Sequence, residues 1–495
     1  MSLDGSLKKV AKGAGIGFFG TFIGLALGYV SRMIIARFLG PYDYGLVSLG
    51  VAVLSFASML SLLGLPRGVV RFVSFYRERG DLGRVKGTVV SSVKVATISS
   101  VLISAVIFVK SDWISIHVFH DPNVAVILKI FALGIPPLSL SNLLLSATIG
   151  FEVMNYRVYV NDIFQNAFRV LCITVLIALG YGAIGASLGW VLAIIPMPIL
   201  ALHFLKRLMP FDSVETISVS RELLEFSIPL IFAGFAGLIL SWTDTLMLGY
   251  FCTTKDVGIY NASLPTARLL RIFVGSFGMI FMSVASGLYS KGDLKSLEKL
   301  YSAVTKWIFT LALPLFLLMV FYSKTILTLM FGRAFVSGST ALSILALGFF
   351  VMTVFNTAGF ALQVFGRTKV MMINSLFIAI INIVLNALLI PKLGIDGAAI
   401  ATATSLIVGN SNLVLIVYHK ERMIPFGRNY IKPALSAVIS MTVAGLISRY
   451  IGTILTGVAY IVTYITLLIA FRSFDEYDLV VISALGDRFK NVLGR

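Results

Sequence analysis

Three arginines lie inside apolar stretches, where a charge is unusual. Arg32 lies about 9 Å below the outer end of the first long apolar run, at 1.5 Å per helical residue. Arg268 and Arg271 lie about 15 and 20 Å into a later run, and their spacing of three places them on one helix face. Guanidinium groups bind phosphate through paired hydrogen bonds, so Arg268 and Arg271 together predict a site for an anionic group. Pairing with carbonyls or helix ends is the alternative.

A second arginine pair, Arg67 and Arg71, follows Pro66 at the inner end of the second apolar run. A spacing of four again places both residues on one face of a helix. They are candidates for contact with the same anionic group. The competing interpretation is an ordinary cytoplasmic flank of basic residues.

Polar side chains form stripes on two further apolar segments. Such a stripe on a membrane helix lines a cavity or bonds to a neighbouring helix, and the sequence leaves both interpretations open. The stripe on the fifth segment consists of Asn161, Asp162, Gln165, Asn166 and Arg169, and that on the eleventh of Asn374, Asn382 and Asn386.

Asp244 is the one acid deep in the second half of the apolar sequence. If the two halves are repeats, Asp244 is the counterpart of Arg32, and equivalent positions carry opposite charges. The two side chains then face each other, or each pairs within its own half. A charge in the hydrocarbon costs about 2.5–3.5 kcal/mol on insertion scales, so either arrangement needs a partner or a cavity.

The elements that position these residues are transmembrane helices. The chain has 495 residues, of which 58% are hydrophobic and 13% charged, far from the composition of a soluble domain. The apolar runs are continuous over about 20 residues, which predicts an all-α membrane protein of about 14 spans. The spans centre near residues 27, 56, 99, 137, 171, 193, 235, 270, 312, 352, 381, 406, 440 and 462.

The basic residues predict the orientation of these spans. Lys8, Lys9 and Lys12 precede the first run, which is too long for a signal peptide and is predicted to be the first transmembrane helix. With the N-terminus inside, the inner connections hold about 27 Lys and Arg and the outer ones about 8. This asymmetry predicts that both termini lie in the cytoplasm, and it explains the net charge of +18 without nucleic-acid binding. The expected location is the plasma membrane.

Four short sequence patterns recur at a nearly constant offset. Gly80-Asp81-Leu82 recurs as Gly292-Asp293-Leu294, and three other patterns recur at nearly the same distance along the chain. The offset contains six spans, an even number, so the copies cross the membrane in the same sense. The predicted domains are a first six-helix half, 1–210, a second half, 211–429, and two extra helices with a tail, 430–495. A central cleft between the halves is the expected substrate site.

Cysteine and histidine provide no metal or disulfide pattern. Cys172 and Cys252 lie far apart, in or beside apolar runs. The histidines lie at the ends of segments, where interfacial packing is the simplest interpretation. No cofactor is predicted. The connections are short and hold no soluble domain, which argues against an enzyme with an aqueous catalytic domain.

The run from Ala36 to Gly45 has the form Ala-Arg-x-Leu-Gly-Pro-x-x-Tyr-Gly. This motif, the basic N-terminus and the two six-helix halves resemble the polysaccharide-transporter flippases of the multidrug/oligosaccharidyl-lipid/polysaccharide (MOP) exporter superfamily. The resemblance covers essentially the whole chain. It implies a substrate that is a polyisoprenoid-linked oligosaccharide, carried from the inner to the outer leaflet, and partners among polysaccharide-assembly proteins.

The resemblance also implies two sets of binding residues. Related flippases bind the lipid diphosphate through arginines of the central cavity, and Arg32, Arg268 and Arg271 hold similar positions. Some relatives bind a coupling cation, Na⁺ or H⁺, in the second half. The residues that could supply oxygens to such a cation are Asp244, Asn382, Asn386 and Thr402.

Two other functions compete with the flippase. A cation-coupled multidrug or organic-cation antiporter of the same superfamily needs carboxylates, whereas these spans are richer in arginine. A membrane-embedded glycosyltransferase or polymerase needs a carboxylate pair or a large catalytic loop, and neither is evident in the sequence. The sequence therefore favours transport of an anionic, lipid-linked substrate and no enzymatic activity.

Overall fold

The computed structural model of this protein describes residues 3–209, 213–448, 452–471 and 473. Within these ranges the chain is helical and contains no strand, so the all-α prediction is confirmed. The α-helices are α1 (Leu3–Leu62), α2 (Leu65–Glu78), α3 (Leu82–His117), α4 (Val124–Gly150), α5 (Asn155–Arg157), α6 (Gln165–Ala178), α7 (Gly182–Ile194), α8 (Met197–Lys206), α9 (Ser220–Phe251), α10 (Thr254–Arg268), α11 (Ile272–Ser290), α12 (Leu294–Phe321), α13 (Ser323–Met330), α14 (Ser339–Val364), α15 (Thr368–Glu421), α16 (Ile431–Ile447) and α17 (Thr453–Ala470). A π-helix covers Val158–Phe164, and 3₁₀ helices cover Leu269–Arg271, Arg333–Gly338 and Arg428–Tyr430.

The apolar helices agree with a protein that crosses the membrane many times. Among the described residues, eight helices are long and apolar enough to span a membrane. Two shorter apolar helices follow, Ile431–Ile447 in α16 and Leu455–Ala470 in α17. Each predicted span centre lies in a helix. The total of about 14 spans stays a prediction.

Two very long helices each hold two predicted spans that meet at a sharp backbone break. In α1 the break is at Gly40, which has φ 83° and ψ 179° and precedes Pro41. In α15 it is at Gly394, which has φ 55° and ψ −127° and lies shortly after Pro391. Glycine adopts positive φ without steric cost, and proline favours such interruptions. Both breaks fall between span centres predicted from the sequence.

The starts of α3 and α12 share one backbone geometry at the predicted repeat offset. Gly80 and Gly292 have φ of 71° and 72°. Asp81 and Asp293 follow them, and each caps its helix by accepting a hydrogen bond from a backbone N–H of the first turn, at 2.9 and 3.1 Å. The hydrogen bonds from Ser296 lower the pKa of the Asp293 carboxyl, which favours the charged form of this cap.

Helix packing recurs at nearly the same offset. A Cβ added at Gly134 of α4 would lie 3.3 Å from Val191 of α7. A Cβ added at Gly348 of α14 would lie 2.5 Å from Ala403 of α15, and Ala403 is the counterpart of Val191 in the repeat. Each glycine thus lets its helix approach the equivalent partner helix, which supports the interpretation of the sequence as a repeat.

The described chain divides into two compact units. The first unit contains Met1–Ala262, Thr328–Phe335 and Asn386–Ala398, and the second contains Ser263–Leu327, Val336–Leu385 and Ala399–Arg495. The second unit has an apolar core around Phe281, Tyr301 and Leu362. The predicted domain division at residues 210 and 429, and the central cleft, stay predictions.

Candidate functional site

A stripe of glycines leads to Arg32 on one side of α1. Gly20, Gly24 and Gly28 recur at every fourth position, and Arg32 continues the series by one more turn. A Cβ added at Gly24 would lie 2.7 Å from the backbone oxygen of Asp162. The absent side chains therefore let the fifth predicted span approach the backbone of α1, as small residues do in membrane helix pairs.

The fifth predicted span changes its winding where it meets this stripe. After α5 it becomes a π-helix over Val158–Phe164 and then returns to α-helix in α6. Asn161 and Asp162 lie in the π-helical turn, and Gln165 follows at the start of α6. Asp162 accepts a hydrogen bond of 3.0 Å from the Thr21 hydroxyl of α1. The wider winding departs from the regular spacing expected of the polar stripe, and π turns of this kind frequently occur at functional sites.

Arg169 is the buried charge of this region, with 7% of its surface exposed. Its guanidinium donates a hydrogen bond to Asn166 Oδ1, and its Cζ lies 4.1 Å from the centre of the Trp190 ring. Its Nη2 lies 3.2 Å from the position that a Cβ at Gly28 would occupy. Its Nε and the Oδ1 of Asn161 are buried and have no hydrogen-bond partner among the described residues.

Arg32 is half-buried and lies one turn from Gly28 on α1. It is close enough to Arg169 for the two like charges to interact unfavourably. Among the described residues neither arginine forms an ion pair with a carboxylate. This part of the first unit therefore places two guanidinium groups near each other without a neutralising acid.

Arg268 and Arg271 flank a break in the eighth predicted span. Arg268 ends α10, Arg271 ends the 3₁₀ helix Leu269–Arg271, and α11 begins at the next residue. A spacing of three keeps the two side chains on one face. Arg268 is half-buried and Arg271 is exposed. A 3₁₀ turn inside a helix often marks a hinge, and the binding role of the pair stays a prediction.

Arg67 and Arg71 follow the second predicted span and lie on a separate short helix, α2. Gly64, with φ 73°, separates α1 from α2. Both arginines are exposed, and Arg71 stacks on Phe226 with its Cζ 4.2 Å from the ring centre. The sequence placed them at the inner end of a span, and the left-handed glycine explains why the chain starts a new helix there.

Asp244 is 2% exposed in the first unit, and its contacts there include Tyr260 and Asn386. Its Oδ2 accepts a hydrogen bond of 2.6 Å from the Tyr260 hydroxyl, and its Oδ1 accepts one of 2.7 Å from Asn386 Nδ2. Two of the residues predicted from the resemblance, Asp244 and Asn386, are therefore in contact. No ion pair joins Asp244 to Arg32 among the described residues, so a longer-range balance of the two charges stays a prediction.

The remaining predicted polar residues are buried in the second unit. Asn382 donates a hydrogen bond of 3.0 Å to Thr402 Oγ1, so a second predicted pair is in contact. Asn374 donates to the Gly409 carbonyl at 3.2 Å and accepts from Asn412 at 2.9 Å, so it joins the two helical segments of α15 that lie on either side of Gly394. The described part of the chain holds no cluster of three or more His, Cys, Asp or Glu that could hold a metal ion.

Several participants in these contacts were not predicted from the sequence, among them the glycine stripe of α1, Trp190 and Tyr260. The glycine stripe of α1 has a visible signal, three glycines at every fourth position before Arg32. Trp190 and Tyr260 have none, because an aromatic residue in an apolar run is indistinguishable from ordinary packing until its neighbours are known.

Comparisons with known protein families give two matches along the chain. A family model described as polysaccharide biosynthesis protein matches residues 10–291, more than half of the chain. A second model, MatE, matches residues 229–388. The first match includes both the glycine stripe and the polar stripe of the first half, and the second includes Asp244 and Asn386.

Individual proteins are similar to this chain over different shares of its length. An uncharacterized membrane protein of Methanocaldococcus jannaschii is 28% identical over 80% of this chain and 81% of its own length. A probable low-salt glycan biosynthesis flippase of Haloferax volcanii is 26% identical over 46% of this chain and 48% of its own length. The solved structure of the lipid II flippase MurJ, in an inward closed conformation, has a TM-score of 0.75 and 16% identity, covering 92% of this chain and 98% of that one. That structural similarity shows that the two chains share a fold.

Proposed function

This chain belongs to the polysaccharide biosynthesis protein family of the MOP exporter superfamily, and we propose that it is a flippase for polyisoprenoid-diphosphate-linked oligosaccharides. The substrate would pass from the inner to the outer leaflet by alternating access, for synthesis of cell-surface polysaccharide or glycoconjugate. Similarity to proteins named as flippases supports this function.

The observation that carries the proposal is the presence of arginines in helices long and apolar enough to cross a membrane. Arg32 and Arg169 have no carboxylate partner in the described chain. An anionic diphosphate needs cationic groups at membrane depth, whereas its polyisoprenoid tail can remain in the bilayer. An organic cation would instead need acids there.

The protein is a multi-pass membrane protein. The proposal places it in the plasma membrane with both termini in the cytoplasm, because the basic residues concentrate in the predicted inner connections. Polysaccharide-assembly proteins are the proposed partners, and Na⁺ or H⁺ is the proposed coupling ion. Transport requires no chemical step on the sugar, so the proposal assigns no catalytic residue.

The direct test uses purified protein in sealed liposomes. A fluorescent polyisoprenyl-diphosphate-linked oligosaccharide and a cationic dye are offered separately, and their movement across the bilayer is measured. We expect the lipid-linked sugar to cross at a rate well above that of empty liposomes, and the dye to remain at the background rate. Movement of the dye alone would reject the flippase.

The arginines at the break in the eighth span provide a second test. Arg268→Ala and Arg271→Ala should slow the transfer of the lipid-linked sugar, while Arg271→Lys should recover only part of the rate, because an ammonium cannot form the paired contact. Arg221→Ala is the control, since Arg221 is 91% exposed and pairs with Glu225. Wild-type transfer in both alanine variants would contradict a phosphate-binding role for this pair.

The antiporter remains the second candidate because of one observation. The MatE match covers the segment that holds Asp244 and Asn386, and Asp244 is a buried carboxylate. The same liposomes decide between the candidates, because only the antiporter predicts movement of the cationic dye against an imposed Na⁺ or H⁺ gradient.

A further inference from the structure

Arg169 carries a buried positive charge whose described partners are neutral. They are the amide oxygen of Asn166 and the face of the Trp190 ring. A buried charge without a counter-charge is costly, and arginines at membrane depth are normally paired or face a cavity that holds a charged ligand. The polar contacts of Arg169 thus orient its guanidinium without neutralising it.

Arg32 increases this imbalance. Its positive charge lies near that of Arg169, and no acid among the described residues forms an ion pair with either. Two like charges held together in a medium of low dielectric repel each other strongly. An anion bound between the two arginines would be attracted to both, and these attractions would outweigh the repulsion between the like charges.

The guanidinium of Arg169 also has a hydrogen-bond donor without a partner among the described residues. Asn166 occupies one Nη group of Arg169, whereas the Nε of Arg169 is buried and has no partner among the described residues. A guanidinium binds an oxyanion through two neighbouring N–H groups, and Nε is one of the donors normally used. The ring of Trp190 fixes the plane of the fork, and Gly28 leaves the space in which it lies.

We propose that Arg169 and Arg32 together bind one oxyanion of the transported substrate, a phosphate or a carboxylate, and that Arg169 determines specificity for it. This inference rests on the proposed function and adds to it a residue of the fifth predicted span. The oxyanion has two sources, the diphosphate of the lipid carrier or the carboxylate of an acidic sugar in the oligosaccharide.

The test measures binding separately from transport. Full-length wild type, Arg169→Gln, Arg169→Lys and the control Arg221→Gln are placed in nanodiscs, and thermal shift gives the Kd for pyrophosphate, glucuronate and neutral glucose. We expect Arg169→Gln to weaken binding of one anion about tenfold or more, Arg169→Lys to weaken it less, and the control to match wild type. Loss for pyrophosphate identifies the lipid diphosphate, and loss for glucuronate identifies an acidic sugar.

Several outcomes would overturn the inference. Unchanged binding of both anions by folded Arg169→Gln would do so, as would wild-type protein that binds neither or binds glucose equally well. If Arg169→Gln does not fold, Arg169→Lys decides, and wild-type affinities in it reject the site. Failure of wild type to transport the lipid-linked sugar would reject the proposed function and leave the binding result intact.

Discussion

The carboxylate of Asp244 is held by hydrogen bonds within the first unit. Tyr260 and Asn386 donate to its two oxygens, and only 2% of the residue is exposed. Both hydrogen bonds hold the carboxyl group in one orientation. The carboxylate is therefore suited either to balance Arg32, its counterpart in the repeat, or to hold a coupling ion.

A double-mutant cycle separates these roles. If Asp244 balances the charge of Arg32 without a direct ion pair, Asp244→Asn destabilises the protein by about 0.5–3 kcal/mol, the range for coupled residues, and adding Arg32→Gln restores stability. If Asp244 holds the coupling ion, uptake by the double variant does not respond to an imposed Na⁺ or H⁺ gradient. Thermal unfolding and gradient-driven uptake are measured on the same samples.

The control for this cycle is Tyr260→Phe, which removes one hydrogen bond to Asp244 and keeps both charges. It should cost about 1.5–3 kcal/mol, the range for hydrogen bonds to charged groups, and should not be rescued by Arg32→Gln. Strictly additive stability losses in the Arg32 and Asp244 cycle reject the pair. A normal gradient response in Asp244→Asn rejects the ion ligand.

At the scale of elements, two glycines form a reciprocal contact inside the first unit. A Cβ added at Gly45 would lie 1.8 Å from the carbonyl oxygen of Thr254, and one added at Gly258 would lie 1.8 Å from that of Pro41. Thr254 and Gly258 follow Pro41 and Gly45 at nearly the offset that relates Gly80 to Gly292. The contact is therefore made by equivalent positions of the two repeats, at the predicted outer ends of their spans.

Substitution of either glycine should separate the two backbones. We expect Gly45→Ala and Gly258→Ala each to destabilise the protein by about 1–3 kcal/mol, because both methyl groups would overlap backbone atoms. The double variant should cost less than the sum, since the first substitution already creates space for the second. Thermal unfolding of the purified protein measures all three variants.

Gly287→Ala is the matched control, because Gly287 lies in α11 with no atom within 4 Å of the added Cβ. It should leave stability unchanged or raise it by up to about 1 kcal/mol, since alanine is the better helix former. Equal stability of Gly45→Ala and Gly287→Ala would show that the contact contributes nothing.

The sequence was most informative about elements and less so about the contacts between them. Apolar runs predicted the helices, and the interruptions at Gly40 and Gly394 fall between predicted span centres, because both features follow from local chemistry. The π turn at Val158–Phe164 was not predicted, since its winding depends on packing against α1. Contacts such as Arg169 with Trp190 depend on tertiary neighbours, which periodicity does not identify.

At the scale of the whole molecule, the distribution of charge predicts the orientation in the membrane. About 27 basic residues lie in the predicted inner connections and about 8 in the outer ones. The helix caps Asp81 and Asp293 then lie on the inner side, at equivalent places in the two repeats. Only an even number of spans per repeat places both on the same side.

Single cysteines test this orientation in a background with Cys172 and Cys252 replaced by serine. Arg79→Cys and Lys295→Cys report the inner connections, while Asp112→Cys and Lys255→Cys report the outer ones, and all four native side chains are exposed. An impermeant maleimide added to sealed cells should label only the outer pair, and permeabilisation should make the inner pair reactive. The positive charges make the opposite topology unfavourable, because Lys and Arg near the ends of spans are retained in the cytoplasm. Labelling of either inner cysteine in intact cells would overturn the orientation, and labelling of only one of them would overturn the parallel repeat.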